Sequence, residues 1–304
     1  MSPLPTASVL AAELLKVRKR WLPYLLLGIM LVGVALIIWL AGYANWLSER
    51  NEAEYDYGRD SLRAFALPWS LPTLLDMGQF YGAVLVSVLV ASAVATEYNW
   101  GTVRQALVRG QTRNQYLFSK LAGLTVLSVA GLLLALAIGL LFSVLATVAA
   151  DLPVTLDAGD GGSITMAEAV LMIVRSGYGA LPYVLLAFCL TIIGRSTTLG
   201  IVGTLLYMFV IEAILVAVLG GLGGAAAATR AVFLGHNVNA LITANRIQPD
   251  DCCSLAPRDM TALPSELPDP WVAAIVVALY CAVFLSVAFY VFRRRDLGTD
   301  GGGG

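Results

Sequence analysis

The feature that most constrains this chain is a series of long apolar runs. Six segments, roughly Trp21 to Trp46, Thr73 to Thr96, Leu121 to Ala149, Ala167 to Ile193, Leu199 to Leu222 and Trp271 to Phe292, are each long enough to cross a bilayer, which takes about 20 apolar residues in a helix. In hydrocarbon every backbone N–H and C=O must be bonded inside the protein, and only helices or closed barrels achieve this. Continuous runs of this length are helical, so the expected fold class is all-α, a polytopic membrane protein with six transmembrane helices in a single domain over residues 1–300. Composition agrees: 59% of residues are hydrophobic and 13% charged, against about 25% charged in a soluble domain.

The basic cluster before Trp21 precedes an apolar stretch of roughly 25 residues, longer than the hydrophobic core of a signal peptide. That stretch is read as a retained first span. Residues Gly301 to Gly304 read as a flexible tail. The net charge of −1 carries no sign of nucleic-acid binding, and the distribution of charge is more informative. Lys16, Arg18, Lys19, Arg20, Arg104, Arg109, Arg113, Lys120, Arg195, Arg293, Arg294 and Arg295 fall on one side of alternating spans, twelve basic residues against six on the other. The positive-inside rule then expects a multi-pass protein of the cell membrane with both termini cytoplasmic. Trp21, Trp46, Trp69, Trp100 and Trp271 at span edges fit interfacial anchoring.

The loops expected outside, Glu49 to Asp60, Asp151 to Asp160 and Asp250 to Asp269, are acidic. They read either as solvated faces or as a cation-attracting vestibule. Gly223 to Ile242 is Gly/Ala-rich and too interrupted for a span. It reads as a re-entrant or interfacial helix before the last span, because irregular backbone at depth has to be shielded by protein.

The connector between the second and third spans runs from Glu97 to Lys120. Thr102 with Gln105, and Thr112 with Gln115, match the capping-box spacing, in which a hydroxyl accepts from the third amide of a helix and the glutamine reaches back. Gly110 is placed to stop the first of the two helices. The spacing predicts a short helix from Val103 to Arg109, about 10 Å long, then a sharp turn and a new helix leading into the third span. Such a stub is either an interfacial connector or a docking element for a cytoplasmic partner.

The run Glu97, Gly101, Thr102, Arg104, Leu107, Arg113, Lys120 resembles the signature of ABC-2-type permeases, the membrane subunits of ABC exporters. The resemblance implies that the acidic residue ends the second span, that Gly-Thr-x-Arg opens a short cytoplasmic coupling helix, and that the later Arg and Lys lead into the third span. Residues Ala12 to Lys16, including Glu13 and Lys16, are similar to the family's N-terminal amphipathic elbow helix, with Leu10, Leu14, Val17 and Trp21 on one face. The ending Phe292 to Asp296 is similar to the family's usual close. Membership would imply two permease copies, a homodimer being the expected form, docked on two ABC ATP-binding subunits. It would also imply alternating access, with ATP and Mg held by the ATPase partner and no cofactor in this chain. The sequence carries no G-x-x-x-x-G-K-[ST] phosphate loop, so ATPase activity is expected only in a partner, and this chain is not expected to be an enzyme.

Two ionisable residues lie inside apolar runs. Glu212 sits roughly 20 Å up the fifth span and Arg175 roughly 12 Å down the fourth, at similar depth in a core about 30 Å thick. Intramembrane charges face a partner or a watery path. An Arg175–Glu212 pair between neighbouring helices is therefore expected, either fixing the packing or lining a substrate route. His236 is the single histidine and builds no His-based metal site alone. Cys252 and Cys253 are adjacent, and their readings are a vicinal disulfide, free thiols or a cross-chain bridge. The competing function classes are a self-sufficient ion-coupled transporter or channel, which would need more intramembrane charge or repeat symmetry, and a membrane hydrolase, which would need a convergent catalytic set. The apolar spans favour a hydrophobic or amphipathic cargo.

Overall fold

A computed structural model describes residues 21–33, 40, 66–68, 70–108, 110–149, 154–155, 164–222, 229–245 and 267–294. The elements are α1 (Trp21–Gly33), α2 (Ser70–Asn99), α3 (Thr102–Val108), α4 (Arg113–Ala149), α5 (Met166–Gly194), α6 (Thr197–Leu222), α7 (Leu234–Thr243) and α8 (Pro270–Arg294). All regular structure among the described residues is helical. Five helices, α2, α4, α5, α6 and α8, are long and apolar enough to cross a membrane, which is the architecture of a polytopic membrane protein. They match the expected second to sixth spans. Of the expected first span, only Trp21–Gly33 and Leu40 lie within the described residues. The elbow helix with Glu13 and Lys16, the Cys252–Cys253 pair and the tail lie outside them.

The helices alternate in direction. One side of the bundle, here the connector side, carries α3, the α5–α6 turn at Arg195 and the end of α8; the opposite side is the far side. α2 and α5 form the interior pair and bury most of their length, whereas α4, α6 and α8 leave broad apolar faces exposed. Such faces are stable in lipid rather than water. Close approach in the interior rests on small residues, as expected where lipid supplies no hydrophobic drive between helices. Gly200 of α6 packs on Thr191 of α5 and Ala91 of α2, where an added Cβ would lie 2.8 Å from the Ala91 Cβ and collide with the Thr191 hydroxyl. On the connector half, Val90, Val94, Val103, Leu117, Phe188, Ile192 and Phe292 join five helices into one apolar cluster.

One expected element forms as read and one departs from expectation. α4 begins at Arg113, ahead of its apolar run, because the Thr112–Gln115 box forms as expected. The Gln115 amide donates to Thr112 Oγ1 at 3.2 Å, and the Thr112 amide donates to Gln115 Oε1 at 3.2 Å. α6 is not a uniform α-helix: residues Tyr207–Ile211 form a π-helical turn immediately before Glu212. An inserted π turn shifts the register of everything beyond it, and here it sets the facing of Glu212.

Candidate functional site

α2 ends where Trp100 and Gly101 close back on Thr96 and Tyr98, with amide–carbonyl distances of 3.0 and 3.1 Å. Gly101 takes φ +66°, the left-handed conformation that costs other residues a Cβ clash, and α3 starts at the next residue. The expected Thr102–Gln105 capping box is not what forms. Thr102 is the first helical residue, and its hydroxyl donates back to the Glu97 carbonyl at 3.2 Å. With glycine before it, the helix starts one residue early, and the Gln105 amide that the box would cap bonds the Gly101 carbonyl at 3.4 Å. α3 ends as predicted at Gly110, with φ +94°. The Gly110 amide bonds Leu107 O at 3.1 Å and the Gln111 amide bonds Ala106 O at 3.3 Å, the paired bonds of a Schellman stop.

The acid and base of the motif meet in the interior. Glu97 and Lys120 are each 2% exposed, and Lys120 Nζ lies 2.7 Å from Glu97 Oε1. The Tyr116 hydroxyl donates to the other carboxylate oxygen. Tyr116 and Lys120 are four residues apart on α4, so one helix face presents both donors. A buried charge is tolerated only when paired and hydrogen-bonded, and here the carboxylate has a donor on each oxygen. Tyr116 carries the network onward, because its ring stacks on Phe292 of α8 at 5.8 Å between centroids and 13° between planes. Beside it, Arg113 Nη1 donates to the Arg293 carbonyl at 2.5 Å and Arg293 Nε donates to Asn114 Oδ1 at 2.9 Å. Thus α2, α3, α4 and α8 are tied together at one corner.

The sequence singles out Glu97, Arg113 and Lys120 for this connector and Phe292 and Arg293 only for the chain's close; it does not bring the two together, and it does not single out Tyr116 or Asn114. The four-residue spacing from Tyr116 to Lys120 was the available signal. The face of α3 turned to the bundle is Val103, which is buried, with Leu107 half-buried beside it. The opposite face is open: Arg104 and Gln105 are exposed, Trp100 is 67% exposed and Val108 80%. Trp100 in the turn and Arg104 and Val108 on the helix together leave a small amphipathic surface exposed at this end of the bundle.

The expected Arg175–Glu212 pair does not form. Arg175 Nη1 donates to the Ala244 carbonyl at 3.1 Å, and Glu212 accepts from the Gly235 amide. These contacts lie at opposite ends of α7. The two charges do stand in the far half of the bundle, but each satisfies a helix terminus instead of the other side chain. His236 is half-buried on α7 and belongs to no cluster of three metal-ligating side chains among the described residues.

A family model matches residues 58–298 of this chain, which takes in α2 through α8. The chain belongs to the DUF2705 family. That family is described as a protein of unknown function, so membership places this DUF2705 chain among like sequences and assigns it no activity. No curated protein matches it.

Proposed function

We propose that this chain is the membrane-spanning subunit of an ATP-driven ABC transporter of the ABC-2 type. In this reading it has six transmembrane helices, cytoplasmic termini and α7 as a re-entrant or interfacial element. Two copies associate with two ATP-binding subunits that hold ATP and Mg. The observation that carries the reading is the connector. α3 is an exposed stub whose Arg104 and Val108 are exposed, with Trp100 exposed in the turn before it, while its first residue is bonded to the backbone carbonyl of Glu97, whose side chain pairs with Lys120 and reaches α8 through Tyr116. A push on the stub is therefore delivered to four helices at once. An ATPase pair can shift the membrane equilibrium only by binding its two states differently, and a rigidly rooted docking helix is a means of sensing that difference. The cargo in this reading is hydrophobic or amphipathic and enters from the bilayer, and transport is outward by alternating access.

The test is purification of the tagged chain from membranes of its own host in mild detergent, followed by measurement of ATP hydrolysis in the retained complex. The expected result is a co-purifying subunit with a phosphate loop whose retention is lost in Arg104→Glu, while the variant elutes as the native chain does. Absence of any such subunit, together with ion-driven uptake by the purified chain alone in vesicles, would replace this reading with the ion-coupled transporter.

A further inference from the structure

α7 has no side-chain cap of its own at its start, and at its end the Asn245 amide closes back on the Ile242 carbonyl at 2.8 Å. The residue preceding α7 is Phe233, which has no side chain able to accept a hydrogen bond from the first turn, and the helix has no acid in its first turn and no base in its last. A helix leaves unpaired N–H groups at its start and unpaired C=O groups at its end, with partial positive and negative charge respectively. At each end part of the set is met by a charged side chain of another helix. The Glu212 carboxylate of α6 accepts from the amides of Gly235 and His236 at the start, and the Arg175 guanidinium of α5 donates to the Ala244 carbonyl at the end. The signs are those the helix dipole requires.

The two ends are not equivalent. α7 packs through Leu234, Val238 and Leu241 into a cluster with Ala180 and Tyr183 of α5 and Ala273, Val277 and Cys281 of α8. Arg175 therefore joins α7 to a helix it already packs against. Glu212 belongs to α6, the span with the least buried surface of the five, and it follows directly on the π turn Tyr207–Ile211. Beyond that turn, Ile214, Leu215 and Val218 are exposed. Glu212 itself is only 6% exposed, with Tyr183 of α5, Tyr207 of α6 and Tyr280 of α8 close enough to feel its charge. Gly235 is what admits it, since an added Cβ would lie 2.9 Å from Oε1, 3.0 Å from Cδ and 3.1 Å from Oε2.

We infer that Glu212 is a latch that fastens the far half of α6 to the body formed by α5, α7 and α8, with the π turn as its hinge. The π turn itself stays seated through Met208 and through Phe209 on Phe80; released from the α7 amides, the segment from Glu212 onward swings about it while α7 stays in place, held by its apolar face and by Arg175. The inference concerns the movement of α6 and is independent of what drives it, so it stands or falls apart from the transporter reading.

The test places spin labels on a genetically encoded ketone amino acid at positions 218 and 272, where Val218 and Val272 are 56% and 52% exposed. Distances are measured in lipid nanodiscs with excess unlabelled chain. Glu212→Gln keeps the side chain's shape but removes its charge. Gly235→Ala keeps the charge but moves the carboxylate off the backbone, at little cost to the core because the side-chain end can yield. Both are expected to add a population lengthened by about one helical turn, ~5 Å, and Arg175→Gln is expected to leave the native distribution unchanged. The latch is overturned if either Glu212→Gln or Gly235→Ala retains the native distribution, or if Arg175→Gln shifts it equally. Should Glu212→Gln fail to fold, Gly235→Ala decides the matter alone.

Discussion

Lys120 Nζ lies 2.7 Å from Glu97 Oε1, with both side chains almost fully withdrawn from solvent. Removing one partner of such a pair strands a buried charge and costs about 3–5 kcal/mol, whereas replacing both with apolar residues of similar volume is near neutral. Glu97→Met and Lys120→Met are each expected to lower the thermal unfolding midpoint of the purified chain sharply. The double variant should recover most of the loss. Tryptophan fluorescence during heating measures this, and equal destabilisation by the single and double variants would contradict the pairing.

Tyr116 has two jobs that substitution separates. Tyr116→Phe removes the hydroxyl that donates to Glu97 but keeps the ring on Phe292, and loss of a bond to a charged acceptor costs about 2 kcal/mol. Phe292→Ala removes the stack and a large buried side chain, at about 3–5 kcal/mol. Phe292→Ala, but not Tyr116→Phe, should also loosen the end of α8, where Arg293 is held by Arg113 and Asn114. Trypsin cleavage after Arg293 and Arg294 is the readout. It should accelerate in the first variant and stay near the native rate in the second.

The contrast between these residues and Arg175 or Glu212 shows what was legible beforehand. Span positions follow from apolar run length, and the stop at Gly110 and the start at Thr112 follow from local chemistry, so each could be read directly. The Thr102 box failed because the helix starts one residue early, after Gly101, and the Gln105 amide bonds the Gly101 carbonyl, a result of three-dimensional path rather than spacing. For Arg175 and Glu212, counting residues along a span yields height in the membrane but not the direction in which a side chain points. The π turn before Glu212 alters that direction. The true partner of both, α7, has no capping side chain before it, no acid in its first turn and no base in its last, so nothing near it in the sequence signals that two charges from other helices meet its ends.

Gly110 offers a test of backbone cost alone. It sits at φ +94° and an added Cβ would meet nothing within 4 Å, so Gly110→Ala introduces no collision. The expected cost is the left-handed penalty of about 1–2 kcal/mol, smaller for Gly110→Asn, whose side chain tolerates that region better. Midpoints ranked Gly, Asn, Ala bear this out. A fully neutral alanine would show that the α3 stop does not need a left-handed residue.

Gly200 is the opposite case, a position where space rather than backbone conformation demands glycine. Its Cβ would collide with the Thr191 hydroxyl and lie 2.8 Å from the Ala91 Cβ, so Gly200→Ala must part α6 from α5 and α2 or force Thr191 aside. Overpacking of this kind costs about 1–3 kcal/mol. The Thr191 hydroxyl donates only to the Ala187 carbonyl one turn back in its own helix, so Thr191→Ala strands no buried donor. Combining Thr191→Ala with Gly200→Ala removes the worst collision but leaves Ala91 in the way. The pair should therefore be less destabilised than the sum of the singles, as expected of residues in contact, yet should remain below the native midpoint. Strict additivity in a double-mutant cycle on unfolding midpoints would show that these three helices do not cross at Gly200.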